Sequence, residues 1–266
     1  MTPEHFKFEQ RGRVGMITLD RPDKLNALTF ASYEELRDFF VYLNGREDIG
    51  ALVLHGAGRA FCAGGDVDDI IGQLFSRDMP GLVQFTRVTG ALIRNIRRVN
   101  KPVVGAIHGA AVGAGAVMAL ACDIRVIGPK AKFGCVFPQV GLCGADMGSA
   151  YLLPRIVGLG HASELLLTGE IIRANRMVEI GLANRLVGED DVLDEALTLA
   201  ERLARGPAFA NAMTKRMIED EAHLGLDDAI EAEAQAQAIC MAHSDFREAH
   251  DARVEQRAPV FKEFSE

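Results

Sequence analysis

The chain has 266 residues, 48% of them hydrophobic, which suits one large domain or one domain with a helical annex and excludes a disordered or fibrous protein. Lys and Arg number 29 against 37 acids, a formal net charge of −8. This argues against a protein that coats nucleic acid or an anionic membrane, and an anionic ligand must be met by local positive groups. Five cysteines without paired short spacing, and a start at Met1-Thr2-Pro3 without a basic-then-apolar leader, predict a reducing, cytoplasmic setting and no disulfide framework.

A β-branched run predicts a strand at residues 14–20, followed by a helix at 30–43, a strand at 51–55 and a helical stretch after Asp66. Residues 102–107 predict a strand that leads through a glycine-rich turn into a helix at 115–121, with another strand at 123–127. The apolar stretch 103–122 is broken by glycines and His108, so no run reaches the roughly 18 apolar residues of a spanning helix. From about residue 144 helical periodicity takes over, at 161–168, 174–180, 192–204, 208–221, 226–241 and 246–256. Gly206-Pro207 and Gly225 punctuate these helices. The reading is an α/β fold with a core over 1–200 and a helical region over 201–266, joined without a linker. The stretch 227–242 reads as an amphipathic helix, either solvated or packed on another subunit.

Two strand-to-helix junctions share a layout. The strand at 51–55 runs into Gly56-Ala-Gly-Arg-Ala-Phe-Cys-Ala-Gly-Gly-Asp66, and the strand ending at Ile107 runs into His108-Gly-Ala-Ala-Val-Gly-Ala-Gly115. Small residues let another atom approach the main chain, and amides that open a helix have no partner inside it. Two such turns converging would form an oxyanion hole. A phosphate-binding loop is excluded because Ala116-Val117-Met118 follows the glycines, and a dinucleotide fingerprint fails at Met118. The seven histidines are scattered, so no metal site is expected.

In order and spacing the sequence resembles the crotonase family, the enoyl-CoA hydratase/isomerase superfamily, along nearly the whole chain. The resemblance rests on Asp20-Arg-Pro-Asp-Lys-Leu-Asn-Ala-Leu28, Ala60-Phe-Cys-Ala-Gly-Gly-Asp66, Lys101-Pro-Val-Val-Gly-Ala-Ile-His-Gly109 with Gly113-Ala-Gly115, and Ala121-Cys-Asp123. It continues in Lys132-Phe-Gly134, Leu153-Pro-Arg-Ile-Val-Gly158, and Leu167-Thr-Gly169 with Gly181-Leu182. It implies a spiral of repeated ββα units with a C-terminal helical region that forms trimers or dimers of trimers. It also implies a bent coenzyme A thioester whose enolate oxygen is held by one amide from each turn, here Gly65 and Ala114. Coenzyme A belongs to the substrate, and no further cofactor is expected.

By the same resemblance Ala63 meets the adenine, while Lys24, Leu25 and Ala27 run beside the nucleotide, with Arg59 nearby. Gly64, Asp66, Val67, Gly113, Phe137 and Gly141 complete the expected substrate-binding set. A neighbouring subunit usually adds an aromatic residue and a lysine from the last helix, but Arg253 and Gln256 stand there. Arg257 or Lys262 could take their place.

Hydratases of this kind use two glutamates, and the matching positions here are Val117 and Phe137, neither of which moves a proton. Phe137 offers a flat apolar wall to an aromatic, cyclic or bulky acyl group, with Phe75 and Phe85 as further apolar lining. The remaining acid of the segment is Asp146, at the expected start of a helix continuing through Tyr151 to Leu153, where it is either an N-cap or a group aimed at the acyl chain. One carboxylate suffices for a double-bond shift, so the leading expectation is an enoyl-CoA isomerase with Asp146 as acid and base. A hydratase using Asp146 and a water comes next. Nucleophilic use of Asp146 would give a hydrolase or dehalogenase, but Gly90 and Phe137 replace the histidine and tryptophan of the dehalogenase branch. A non-catalytic acyl-CoA-binding subunit is the rival from another class. His108, Cys62, Cys135, Cys143, Glu164 and Glu170 have ordinary structural readings as a turn cap, core fillers and solvated carboxylates.

Overall fold

The computed structural model describes residues 1–261. Strands β1 (Phe6–Arg11) and β2 (Val14–Leu19) pair antiparallel and lead into α1 (Phe30–Asn44) and β3 (Ala51–Gly56). A π-helical turn (Val67–Ile71), the single turn α2 (Gly72–Leu74) and the long α3 (Met79–Arg98) follow. Next come β4 (Val103–Ile107), β5 (Ala110–Val112), α4 (Ala114–Ala121), β6 (Ile124–Ile127) and β7 (Lys132–Gly134). The second half holds α5 (Ser149–Val157), α6 (Leu159–Thr168), β8 (Ile172–Arg173), α7 (Ala174–Glu179) and β9 (Arg185–Leu186). It ends with α8 (Val192–Ala204), α9 (Ala208–Asp220), α10 (Leu226–Ala242) and α11 (Ser244–Val254).

The main sheet has six strands in the order β1-β2-β3-β4-β6-β9, parallel from β2 onward. A parallel strand covered on both faces needs apolar side chains on both, which explains the unbroken runs in β2, β3 and β4. Ile17 and Leu19 face the larger core with α1, α3 and α4, whereas Val14, Met16, Val53 and Val104 face Val192, Ala196 and Ala200 of α8. A second, three-stranded sheet, β5-β7-β8, pairs the segment just past β4 with the Lys132–Gly134 motif.

Helix α1 buries the stripe Tyr33, Leu36, Phe40 and Leu43, spaced at helical period, and opens with a Thr29/Ser32 capping box. Helix α4 is entirely buried and apolar. Its C-terminal carbonyls are met by buried Arg125, which donates to Cys122 O at 2.6 Å and Ala119 O at 3.4 Å, and which also reaches Leu182 O at 2.8 Å.

Several expectations shift. Strand β1 was not foreseen, and the stretch expected to be helical after Asp66 begins as a π-helical turn. The segment between Ile107 and α4, read as a turn, contains β5. The boundary expected after residue 200 falls inside α8, which packs on the sheet, and α9 from Ala208 begins the outer helices. Lys262 lies outside the described residues.

One ion cluster ties those helices to the core. Lys215 of α9 is buried, pairs with Asp123 at 2.8 Å and donates to Ile96 O and Lys101 O. Asp123 also accepts Val103 N at 2.8 Å, and Arg97 bridges Asp123 to Glu219. Lys215→Ala leaves two buried carbonyls without their donor and Asp123 with Arg97 as its remaining cation, and is expected to lower unfolding free energy by about 2–3 kcal/mol. Urea denaturation checks this, and a loss below about 1 kcal/mol would show that the cluster does not hold α9.

Candidate active site

Backbone hydrogen bonds zip the two glycine corners together. Phe61 N donates to His108 O, Cys62 N to Ala110 O, and Val112 N to Cys62 O, at 2.8, 2.8 and 2.9 Å. The first corner is also stitched to the Arg21–Leu28 segment by Ala63 N to Leu25 O, Leu28 N to Gly64 O and Asp66 N to Leu28 O. Gly113 N is taken by Gly134 O. The amides of Gly65 and Ala114 donate to no backbone carbonyl among these contacts, and Ala114 N opens a helix.

Glycine is required where the corners touch. Gly64 has φ of +103°, and a side chain on it would start 3.1 Å from Val112 O and 3.5 Å from Ala114 N. At Gly115 a methyl group would lie 2.1 Å from Cys62 O. The structure thus sets the Gly64-Gly65 corner directly against the Gly113-Ala114 corner.

The polar residues of the Asp20–Leu28 motif hold the shape of this region. Asp66, which caps the π-helical turn, accepts Asp68 N at 3.0 Å, Asp69 N at 3.2 Å and the Arg21 guanidinium at 2.9 Å. These bonds, the Asp69 amide first, hold its carboxyl below the usual carboxylate range. Arg21 also donates to Ala27 O, while buried Asn26 donates to Ala57 O and Ala60 O and accepts Arg21 N. Leu25 and Asn26 both have positive φ, 51° and 58°, a strained pair that this network restrains.

Of the expected nucleotide contacts, Lys24 is exposed and pairs with Asp68 at 3.1 Å, Leu25 and Ala63 are part-exposed, and Ala27 is buried. Val67 is 70% exposed beside Lys24's partner, and Gly141 closes an exposed 3-10 turn that begins at Phe137. Phe137 and Val117 are buried, Phe85 is part-buried, and Phe75 points to solvent. Arg257 is engaged with Glu248 and Glu255, and Arg253 is exposed.

Asp146 is not an N-cap. Helix α5 begins three residues later, after Gly148, and Ser149 takes the capping-like contacts by accepting Asp146 N and donating to Gly144 O. Among the described residues the Asp146 carboxylate accepts Met147 N alone, at 2.8 Å, and Met147 has φ of +52°, a strained turn. Burial raises the Asp146 pKa above the ordinary carboxylate value, partly offset by the Met147 amide. A groove of about 650 Å³ between α3 and α5, lined by Ile93, Arg94, Met147, Tyr151 and Leu152, runs beside this loop.

The remaining titratable residues are accounted for structurally. The His108 ring meets Gly58 O at 3.0 Å, and burial pushes the Cys62 and Cys135 thiols up to about 12, unsuited to thiolate chemistry. Glu164 and Glu170 are exposed. Among the described residues no group of three His, Cys, Asp or Glu could hold a metal, and no helix is long and apolar enough to cross a membrane. Tyr33, buried on α1 beside Gly65, escaped the sequence reading because a tyrosine within an apolar helical stripe looks like core.

An α/β scaffold that presses two main-chain corners together and, among the described residues, leaves the amides of Gly65 and Ala114 without backbone partners defines a class of proteins suited to gripping an oxygen that gains negative charge. The enoyl-CoA hydratase/isomerase family matches residues 9–264. The chain is 34% identical to the Mycobacterium tuberculosis protein assigned as enoyl-CoA hydratase EchA12, over 94% of this chain and 90% of that one. It is 33% identical to the 1,2-epoxyphenylacetyl-CoA isomerase of Escherichia coli, over 92% and 93%. A crystal structure of a Streptomyces coelicolor A3(2) protein assigned as an enoyl-CoA hydratase superposes with a TM-score of 0.96 at 48% identity, covering 98% of this chain and 96% of that one. The chain belongs to the enoyl-CoA hydratase/isomerase family, with the crotonase fold, and this family acts on coenzyme A thioesters.

Because the Cys62 carbonyl belongs to the zipper, a methyl at position 115 must drive the corners apart. Gly115→Ala is expected to lower turnover of a thioester substrate by about 10²–10³. Steady-state assay of variant protein with native circular dichroism checks this, and undiminished turnover would show that the close approach is dispensable.

Proposed function

We propose that the protein is an enoyl-CoA isomerase. The amides of Gly65 and Ala114 hold the thioester oxygen as it becomes an enolate, and Asp146 removes a proton from one carbon and returns it to another. The observation that carries this reading is the unequal chemistry around the corners: Val117 and Phe137 are apolar and buried, while Asp146 has a raised pKa and a carboxylate not committed to capping a helix. A raised pKa brings a carboxyl closer to the working pH, which suits a group that must both take and give a proton. Lys24 would meet a phosphate of the coenzyme, exchanging its exposed pairing with Asp68, and Ala63 would meet the adenine. No cofactor is called for beyond the coenzyme carried by the substrate. The exposed Ile218, Ile230, Ile239 and Phe246 on the outer helices support assembly into trimers or dimers of trimers.

The second reading is a hydratase in which Asp146 works through a bound water. It is favoured by the relatives named as enoyl-CoA hydratases, including the short-chain-enoyl-CoA hydratase of Clostridium acetobutylicum. Mass spectrometry of products from 2-enoyl- and 3-enoyl-CoA esters separates the two. An isomer of unchanged mass supports isomerisation, gain of one water supports hydration, and tight binding without turnover would leave only a binding protein.

Asp146→Asn is expected to cut isomer formation by at least about 10², the scale of a lost general acid-base group, with ester affinity nearly unchanged. Full activity would remove Asp146 from the mechanism. The same variant has a stability signature. Since burial raises the Asp146 pKa, its contribution to stability is complete below the ordinary carboxylate pKa and is lost as pH rises through the raised, folded-state value. Asparagine does not ionise and escapes that loss. The variant is therefore expected to melt higher than the parent at neutral pH, with the gap closing below about pH 4. A variant melting lower at neutral pH would contradict the assigned direction.

A further inference from the structure

Tyr33 is the polar side chain that this chemistry leaves unused. It stands in the apolar stripe of α1, is 3% exposed, and is held edge-on by Phe85 with ring centroids 6.0 Å apart at 89°. Its hydroxyl has no hydrogen-bond partner among the described residues and is not one of the side-chain atoms sealed from solvent, so the oxygen faces space that a water or a ligand can enter. The oxygen lies 3.7 Å from the point where a side chain on Gly65 would begin, beside Ile70. Burial first, with Asp146 adding to it, raises the phenol's pKa and keeps it protonated and therefore a donor. One unanswered donor thus sits by the Gly65 corner and within electrostatic reach of the Asp146 carboxyl.

A thioester oxygen at the corners already has two amide donors, so the acceptor that Tyr33 lacks must come from elsewhere in the ligand or from a water. A hydrocarbon acyl chain laid against this hydroxyl would leave it buried and unpaired, which disfavours that chain relative to one bringing an oxygen. Accepting the placement of the thioester given above, we propose that Tyr33 is a specificity-determining residue. Its hydroxyl donates to an oxygen carried by the acyl group close to the thioester carbonyl, so that the site prefers acyl chains bearing a hydroxyl, carbonyl or epoxide oxygen.

Tyr33→Phe deletes this one oxygen and keeps the ring. Isothermal titration of both proteins with a saturated acyl-CoA and its 3-hydroxy and 3-oxo counterparts reads the contact without requiring turnover. The parent is expected to bind an oxygen-bearing ester at least about 10-fold more tightly than the saturated one. The variant is expected to erase that preference by weakening the oxygen-bearing esters about 10- to 100-fold and leaving the saturated ester within about twofold. Equal weakening of all three esters would overturn the proposal in favour of a water or the thioester oxygen as acceptor. No change in any of them would overturn it by showing that the hydroxyl only packs. Asp146→Asn titrated in parallel separates the two readings: a preserved preference with abolished isomer formation supports both, whereas a preserved preference with isomerisation intact refutes the role of Asp146 alone. Failure of parent and variant to bind any CoA ester would overturn the thioester site and this inference together.

Discussion

The structure depends on a short stretch of main-chain pairing between residues 61–62 and residues 108–112. Three hydrogen bonds there fasten the end of one strand-to-helix junction to the other, and every feature of the site is measured from that seam. The pairing brings the corners so close that a side chain on Gly64 would meet Val112 O and one on Gly115 would meet Cys62 O, which is why glycines lie there. The positions are demanded by contact distance as well as by turning.

Around the seam a second tier of polar groups works on shape. Arg21, Asn26 and Asp66 satisfy one another and the surrounding backbone, so a motif that looks in sequence like a ligand-binding strip consists largely of internal fasteners. Lys24, by contrast, faces outward and pairs with the exposed Asp68. Positive φ at Leu25, Asn26 and Met147 shows backbone strain gathered on both approaches to the corners. The burial of α4, with Arg125 closing its far end, keeps water from screening the amide dipoles that point out of its first turn.

How much of this could be read beforehand follows from the strength of each local signal. Parallel strands buried on both faces leave continuous apolar runs, and β2, β3, β4 and β6 were all located from them. Strands β5, β7, β8 and β9 have two or three residues, too few to show a period of two, and went unseen. Strand β1 pairs at the sheet's edge, where Lys7, Glu9 and Arg11 alternate with phenylalanines and mask the apolar face. The corners were legible because glycine is itself the signal. Asp146 was half legible: an aspartate ahead of a helical run resembles a cap, and only the geometry reveals that Gly148 holds the cap position, without a side-chain cap. Tyr33 was illegible, since an aromatic at core spacing carries no mark of an unpartnered hydroxyl.

One consequence concerns how such a protein changes over evolutionary time. The groups assigned to hold the developing anion are peptide N–H bonds, present whatever side chain the codon specifies, short of proline. Under the proposed function, selection can exchange Val117, Phe137, Asp146 or Tyr33 and redirect the reaction without surrendering the capacity to stabilise charge. The scaffold conserves its power in the chain itself and leaves its choice of chemistry to replaceable residues, an arrangement under which new activities arise by substitution at a few wall positions while the foundation stays inherited.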